Sequence, residues 1–265
     1  MDVIKIELVG IKTPIIQPGE DIVEVLFTAL SEQGVQLEPR SILVVAETVV
    51  AFSQNRVRDL SHVQVSPYAN NLAEQYALEP SLAQLIVDEA DEILGGVSNV
   101  LLTIKDGILM ANAGIDRSNA PPGHVVLLPD KHTETAWQIK ARLESKIGRE
   151  EVGVIIADSR TQPLRLGTVG LAVAVAGFYP IKDYRGQPDI FGKPLRITRS
   201  AVADNLASAA QILLGEADEQ VPFVLIRDAP VQFTNERIQP EVMTIPKREC
   251  MYMAVFQQYS NTTRI

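Results

Sequence analysis

The sequence predicts an α+β fold in which mixed β-sheets pack against amphipathic helices. Apolar residues recur at helical spacing over residues 22–30 and 201–214, and a glycine follows each stretch closely. Continuous apolar runs of strand length occupy residues 41–46 and 152–157. Between two further apolar runs, Asp106-Gly107 is typical of a β-hairpin turn, so antiparallel pairing is expected as well.

The first half of the chain alternates strands and helices. In chain order, the predicted elements are a strand at 3–9, a loop with two prolines at 10–19, a helix at 22–30 that stops at Gly34, a buried strand at 41–46, residues 48–51 that either extend this strand or open a short helix, a poorly patterned segment at 67–80, a helix at 82–93 closed by Gly95-Gly96, and hairpin strands at 100–104 and 108–111.

The second half begins at Pro121-Pro122-Gly123, which we interpret as a boundary or crossing point between two lobes. In chain order, the elements predicted after it are a helix at 134–147, a strand at 152–157, a polar loop at 160–167, a strand at 168–177, turns at 184–192, a short strand at 195–197, a helix at 201–214 that stops at Gly215, a strand at 223–226, and an irregular polar segment from 228 onward.

Composition narrows the function classes. The 265 residues include 46% hydrophobic residues, enough for a large core, and the net charge is −9. Because an acidic chain lacks the electrostatic footprint of a nucleic-acid-binding protein, small-molecule partners are expected. Cys250 is the single cysteine and excludes an internal disulfide, so a reducing cytoplasm is the simplest compartment. No signal peptide or membrane span is predicted.

Two carboxylates stand where apolar strands end. Asp116 follows residues 108–111 through a short stretch of small residues, and Asp158 follows the run 152–157 directly, with Ser159 next. If the two strand ends lie side by side, Asp116, Asp158 and the Ser159 hydroxyl supply hard oxygen ligands suited to magnesium or manganese. By itself this pattern is more often that of an ordinary turn residue or helix cap, in which either Asp accepts backbone hydrogen bonds.

Five separated blocks carry a family resemblance. In order, they are Asn112-Ala-Gly-Ile-Asp-Arg-Ser-Asn119, Gly153-Val-Ile-Ile-Ala-Asp-Ser159, Tyr184-Arg-Gly followed by Asp189, Gly192 and Leu195, Ala203-Asp204, and Leu214-Gly-Glu216. Together they resemble the gamma-glutamyl ligases that add glutamate to the deazaflavin precursor of coenzyme F-420. The resemblance covers roughly residues 8–228.

The resemblance implies both a fold and a reaction. The fold would be an intertwined homodimer of two interlaced lobes, with a module at 1–228, a crossing near 120–124 and a C-terminal extension at 229–265. The reaction would use Mg or Mn and GTP to convert the acceptor carboxylate into an acyl phosphate, which the amine of L-glutamate attacks. An acyl phosphate has a good leaving group, and a metal bridging phosphate oxygens neutralises developing charge.

The resemblance also assigns site residues. Asp116 and Asp158 would bind one metal, and Ser159 and Glu216 a second. The positions that would contact the nucleotide are Thr13, Pro14, Ile15, Ile16, Thr48, Asn119, Leu214, Gly215, Glu216, Ala217, Asp218, Glu219, Gln220 and Val221. From their place beside Asp158, we add Arg160 and Arg165 as candidates for binding phosphate or an acidic substrate, with Arg165 acting in catalysis.

Three positions depart from the family pattern. Phe52 and Gln17 stand where lysines are expected, and Glu47 adds negative charge in a turn that is Ser/Thr-rich in the family. These departures leave open the nucleotide and the acceptor, which could be the F-420 precursor, a folate or another pterin. They also leave open two other functions, a catalytically altered relative that binds a nucleotide or metabolite, and a phosphotransferase unrelated to glutamate.

Overall fold

The computed structural model describes residues 4–149 and 151–254. The β-strands are β1 (Glu7–Ile11), β2 (Ile42–Ala46), β3 (Val57–Asp59), β4 (Glu92–Val97), β5 (Val100–Lys105), β6 (Ile108–Ala111), β7 (His124–Val126), β8 (Gly153–Thr161), β9 (Thr168–Ala176), β10 (Ile181–Asp183), β11 (Arg199–Ala201) and β12 (Phe223–Arg227). The α-helices are α1 (Ile22–Gln33), α2 (Glu47–Ser53), α3 (Pro67–Tyr76), α4 (Pro80–Glu89), α5 (His132–Ile147) and α6 (Val202–Leu214). The α+β class is confirmed.

A five-stranded sheet forms the first lobe, with strand order β1-β12-β2-β8-β9. Its one parallel pair is β2 with β8, and the other neighbours are antiparallel. Helices α1 and α5 pack on one face of this sheet and α6 packs on the other. Because both faces are buried, β2 and β8 read as continuous apolar runs rather than as alternating patterns.

A smaller lobe is built on the three-stranded antiparallel sheet β4-β5-β6. Helices α3 and α4 share an apolar core with this sheet, in which Leu72, Leu82 and Leu101 are buried. The two-stranded ladder β3-β7 lies beside it, and residues 121–123 form the turn that leads into β7. The chain therefore enters the small lobe after α2 and leaves it before α5.

Several predicted boundaries agree with the structure for the expected physical reasons. Asp21 caps α1 by accepting hydrogen bonds from the N–H groups of Val23 and Glu24, and Gly34 ends the helix in the left-handed conformation. Asp106 and Gly107 both have positive φ, 51° and 75°, as a type I′ hairpin turn requires.

Other boundaries were wrong. The first strand runs from Glu7 to Ile11 rather than over 3–9, and Val3 lies outside the described residues. Helix α4 ends at Glu89, and residues 92–97 form β4 instead of its last turn and glycine stop. Gly96 is a glycine because a Cβ there would lie 2.2 Å from the carbonyl oxygen of Val100 on β5. Close approach of two strands, not helix termination, explains this residue.

Residues 48–51 belong to helix α2, which confirms the second of the two alternatives left open for them, and the poorly patterned segment contains helix α3. Two predictions in the second half of the chain were wrong. The loop predicted from 160 begins later, because β8 continues to Thr161 and pairs it with Thr168. Residues 195–197 are not a strand, whereas β10 and β11 flank the turns on either side.

The segment after β12 lacks long elements but connects the two lobes. The N–H of Thr234 donates to the carbonyl of Gly177 at 2.9 Å, at the end of the large sheet. Further along, Lys247 forms an ion pair with Glu92 on β4. Across residues 4–149 and 151–254, no helix has the length and apolar character needed to cross a bilayer.

Candidate functional site

The geometry of the site follows from the parallel pairing of β2 and β8. Their register pairs Ala46 with Ala157, so the next residues, Glu47 and Asp158, lie side by side. Glu47 begins α2, whereas Asp158 stays in β8 and pairs with Leu171 of β9, so the prediction that the strand ends before Asp158 was wrong. The carboxyl ends of parallel strands form the crevice where open sheets of this kind bind ligands. Two acidic side chains are therefore fixed at one sheet edge by backbone pairing.

Two loops reach the same edge from β1 and β12. Strand β12 is antiparallel to both neighbours, so β1 ends where β12 begins. The loop after β1 is tied to the turn before β12 by a 3.0 Å hydrogen bond from the Thr13 N–H to the Gln220 carbonyl. From the small lobe, the Asn119 amide donates to the Ala217 carbonyl at 3.1 Å. These bonds bring the predicted nucleotide segments together.

A cleft of about 1130 Å³ lies between this sheet edge and the β5-β6 hairpin. The predicted site residues that line it are Thr13, Pro14, Ile15, Ile16, Thr48, Asp116, Asn119, Asp158, Ser159, Arg160, Leu214, Gly215, Glu216, Ala217, Asp218, Gln220 and Val221. Phe52 and Gln17 also contribute to its wall.

Two predicted residues lie outside this lining. Glu219 instead accepts a 2.8 Å hydrogen bond from the N–H of Ala217, which stabilises the turn before β12, and backbone hydrogen bonds lower the pKa of its carboxyl. Arg165 lies on the exposed turn between β8 and β9. Its role in catalysis remains a prediction.

The backbone of Asp116 is held by a two-way bridge to β7. Its N–H donates to the carbonyl of Val126 at 2.9 Å, and the N–H of Val126 donates back at 2.8 Å. One carboxylate oxygen of Asp116 accepts the N–H of Ser118 at 2.8 Å. The left-handed conformation of Ala113 (φ 54°) turns the chain out of the hairpin and toward this bridge. Asp116 thus faces the cleft from the small lobe.

Asp158 has the most perturbed carboxyl with a defined value. Burial is the largest cause and raises its pKa from 3.8 to about 7, while the N–H of Ser159, donating at 2.6 Å, opposes the change. The negative charges of Asp116 and Glu216 contribute to the increase. Three predicted ligands from separate parts of the chain therefore influence one another electrostatically in one cleft.

Glu216 is oriented by two neighbours. The Thr168 hydroxyl at the start of β9 donates to its carboxylate at 2.7 Å, and the Gln211 amide of α6 donates at 2.9 Å. Gly170, on the same face of β9 as Thr168, permits close packing because a Cβ there would lie 2.4 Å from the Ala207 carbonyl oxygen. Close contact between β9 and α6 therefore places Glu216 at the sheet edge.

Glu47 is a site residue that our sequence interpretation missed. Its residue is 3% exposed, and its Oε2 atom is buried without a hydrogen-bond partner. Burial, followed by the charges of Asp158 and Asp116, raises the pKa of its carboxyl well above the ordinary range. The available signal was an acidic residue directly after a continuous apolar run, as at Asp158. We had interpreted Glu47 only as an added negative charge.

The donor set fits a divalent cation of the magnesium type. Five carboxylates and the Ser159 hydroxyl line one cleft, and a cation would offset the repulsion of Asp158 by Asp116 and Glu216 and of Glu47 by Asp158 and Asp116. Within the two described ranges, no three Asp, Glu, His or Cys side chains converge closely enough to bind an ion by themselves. Water and ligand oxygens would have to complete the coordination, as is common for magnesium.

Comparison with known proteins tests the resemblance carried by the sequence motifs. A model of the family described as F420-0:Gamma-glutamyl ligase matches residues 10–228. The chain belongs to this family. All residues that line the cleft of this F420-0:gamma-glutamyl ligase family member lie inside the matched region. Residues 229–254 lie after the matched region.

Individual family members show similarity over most of their length. Coenzyme F420:L-glutamate ligase of Methanothermobacter thermautotrophicus is 40% identical over 227 residues, which cover 85% of this chain and 90% of the relative. The protein of the same name from Methanocaldococcus jannaschii is 39% identical over 234 residues, covering 87% and 91%. That of Methanopyrus kandleri is 37% identical over 213 residues, covering 80% and 82%.

Proposed function

We propose that this protein is a metal-dependent, GTP-driven ligase that joins L-glutamate to a carboxylate of the coenzyme F-420 precursor through an acyl phosphate. The observation that carries the proposal is the cleft at the ends of β2 and β8, where Asp116, Asp158 and Glu216 interact electrostatically. Family membership and the names of the relatives support ligation of glutamate.

The chemistry needs activation of a carboxylate and management of phosphate charge. A carboxylate and an amine do not condense usefully in water, whereas an acyl phosphate supplies a good leaving group. Asp116 and Asp158 would hold one Mg²⁺ or Mn²⁺ ion, and Ser159 and Glu216 a second. When bound, these cations would neutralise charge on the phosphate oxygens. The protein side chains would fix the triphosphate relative to the acceptor.

The nucleotide would lie against the two loops joined at Thr13 and Gln220. Loop residues 13–16 and turn residues 214–218, 220 and 221 line the cleft together with the polar residues Asn119 and Thr48. Such a surface can recognise the base of the nucleotide by hydrogen bonds to its edge, while the cations would bind the phosphates. We propose GTP as the co-substrate on the strength of this correspondence with the family.

Arg160 is our candidate for binding an anionic group of a substrate. Its Nε atom is buried and has no hydrogen-bond partner within the described residues. Alternate residues of a strand share a face, so Arg160 follows Asp158 on the same face of β8. A carboxylate or phosphate would satisfy this donor through a charge-assisted hydrogen bond. Arg165 remains a second candidate, which requires the exposed turn to fold toward the cleft.

A second candidate function rests on Phe52. This side chain is 8% exposed and forms part of the cleft wall where the resemblance leads us to expect a lysine. An apolar wall binds part of a ligand without contributing charge to phosphate transfer. A protein that binds a nucleotide or metabolite without turnover would fit this feature, while retention of Asp116, Asp158 and Glu216 favours the ligase.

We also propose a homodimer in the cytoplasm. Leu164 and Leu166 on the β8-β9 turn, and Ile190 and Phe191 on the turn before β11, are each at least 88% exposed. Large apolar side chains that are almost fully exposed are typical of surfaces covered by another chain. The intertwined arrangement implied by the resemblance would cover them with a second copy.

The direct experiment incubates the purified protein with GTP, Mn²⁺ or Mg²⁺, L-glutamate and the F-420 precursor. The ligase predicts a product heavier by one glutamyl residue and phosphate release that requires both co-substrates. Parallel reactions with ATP, a folate or another pterin determine which nucleotide and acceptor are used. Metal-dependent binding of GTP without product under all conditions would instead support the binding protein.

A further inference from the structure

Glu47 occupies a position unlike that of the other carboxylates in the cleft. It is the first residue of α2 and directly follows β2. Asp158 lies beside it, because Ala46 of β2 pairs with Ala157 of β8. The residue is 3% exposed, yet it belongs to the cleft lining. Its side chain is therefore enclosed by protein and faces the ligand space at the same time.

The Oε2 atom of Glu47 is buried and accepts no hydrogen bond from the described residues. A buried acceptor without a partner costs free energy, and a buried carboxylate costs more. Two neighbouring acids, Asp158 and Asp116, add repulsion, which a side-chain hydrogen bond with Thr48 offsets only in part. A bound ligand that donates a hydrogen bond to this atom would remove the cost.

The surroundings identify the kind of donor. No three acidic, His or Cys side chains of residues 4–149 and 151–254 reach one common ligating point, so Glu47 does not join Asp116 and Asp158 in direct contact with a single ion as they stand. Magnesium-type cations keep several bound waters. A water on such a cation is a strong hydrogen-bond donor to a carboxylate.

We propose that Glu47 is a positioning residue for the cation held at Asp116 and Asp158, and that its Oε2 atom accepts a hydrogen bond from a cation-bound water. This inference rests on the proposed metal dependence. It assigns Glu47 a share of the negative charge that holds the cation. Outer partners of this kind typically contribute about 10- to 100-fold to metal affinity.

The alternative is a purely local role for Glu47 at the N-terminus of α2. A carboxylate in the first turn of a helix stabilises the helix dipole, and its loss would lower the melting temperature without affecting metal binding. Glu47→Gln separates the two roles because the amide keeps the shape of the side chain and removes its charge. Glu47→Asp keeps the charge and shortens the reach.

The test is titration of the full-length protein with Mn²⁺ alone, in which free Mn²⁺ is followed by electron paramagnetic resonance. We expect Glu47→Gln to raise the Mn²⁺ dissociation constant by about 10- to 100-fold, and Glu47→Asp to raise it less. The metal-free melting temperature of Glu47→Gln should be equal to or above that of the wild type. As a control, Glu24→Gln removes one negative charge from an exposed residue of α1 that is paired with Lys146, and should bind Mn²⁺ like the wild type.

The outcomes distinguish this inference from the proposed function. A wild-type protein that binds Mn²⁺ while Glu47→Gln keeps the same dissociation constant overturns the role of Glu47 alone. A lowered melting temperature with unchanged Mn²⁺ affinity overturns it in favour of the helix role. Absence of Mn²⁺ binding by the wild type overturns the metal dependence itself, and this inference with it.

Discussion

The charge of Asp158 should destabilise the metal-free protein at neutral and higher pH. Replacing Asp158 with Asn removes that charge, while the amide oxygen can still accept the N–H of Ser159. The pKa of this carboxyl is raised from 3.8 to about 7 in the folded protein, chiefly by burial. Each pKa unit corresponds to about 1.4 kcal/mol, so the ionised carboxylate costs the folded state up to about 4 kcal/mol.

The sign follows from proton binding. Between pH 4 and 7 the folded state holds a proton on Asp158 that the unfolded state has lost, so the stability of the wild type falls as pH rises through this window. Above pH 7 the loss is complete, because the carboxyl is ionised in both states. The free energy difference between Asp158→Asn and the wild type should therefore grow from near zero at pH 4 to its full value at pH 8.

Thermal unfolding in a chelating buffer between pH 4 and 8 measures this difference. For a chain of this size, each kcal/mol shifts the melting temperature by about 2–4 °C, so Asp158→Asn should melt several degrees above the wild type at pH 8. Saturating Mn²⁺ should reverse the order, because a cation stabilises the ionised carboxylate.

Two results would refute this reasoning. A metal-free Asp158→Asn variant that melts below the wild type at pH 8 would mean that the carboxylate is well solvated or paired. A difference that does not change with pH would mean that the substitution acts through packing rather than through charge.

Three other predictions follow from the same structure. Asp116→Asn should lower kcat at least 100-fold with little change in the circular dichroism spectrum, because it removes charge from the acidic cluster; full activity in a phosphate-release assay would contradict its assignment as a ligand. Arg160→Ala should raise KM for one anionic substrate about 10-fold or more, and Arg160→Lys should restore part of the lost affinity. Unchanged KM values for GTP, glutamate and the acceptor would exclude a contact between Arg160 and a substrate. Gly170→Ala should lower the free energy of unfolding by about 2 kcal/mol or more in denaturant titrations, because the new Cβ would lie 2.4 Å from the Ala207 carbonyl oxygen. An unchanged denaturation midpoint would show that α6 moves away at no cost.

Local sequence signals identified much of the fold and part of the site. The glycine stop of α1 at Gly34 and the Asp-Gly turn of the β5-β6 hairpin act over a few residues, so their patterns could be interpreted directly. Asp158 was identifiable because a carboxylate directly follows a continuous apolar run, and a similar pattern suggested Asp116 as its partner. The motif resemblance then added Glu216, which local patterns could not do.

Features that depend on pairing between distant strands were missed. Glu47 has the same local context as Asp158, but its importance depends on the parallel register of β2 and β8, which are separated by more than 100 residues. Gly95 and Gly96 were interpreted as a helix stop because sequence cannot show that β5 passes within contact distance of Gly96. The extent of β8 also depends on β9, which keeps Arg160 in the strand and leaves Arg165 on the turn.

The claim that the sheet edge binds a divalent cation is tested most directly by a crystal structure of the protein soaked with Mn²⁺ and GDP. Our account predicts an anomalous difference peak for manganese beside Asp116 and Asp158 in the cleft, with phosphate density in contact with it. An anomalous peak in another part of the molecule, or no peak at saturating Mn²⁺, would contradict the account.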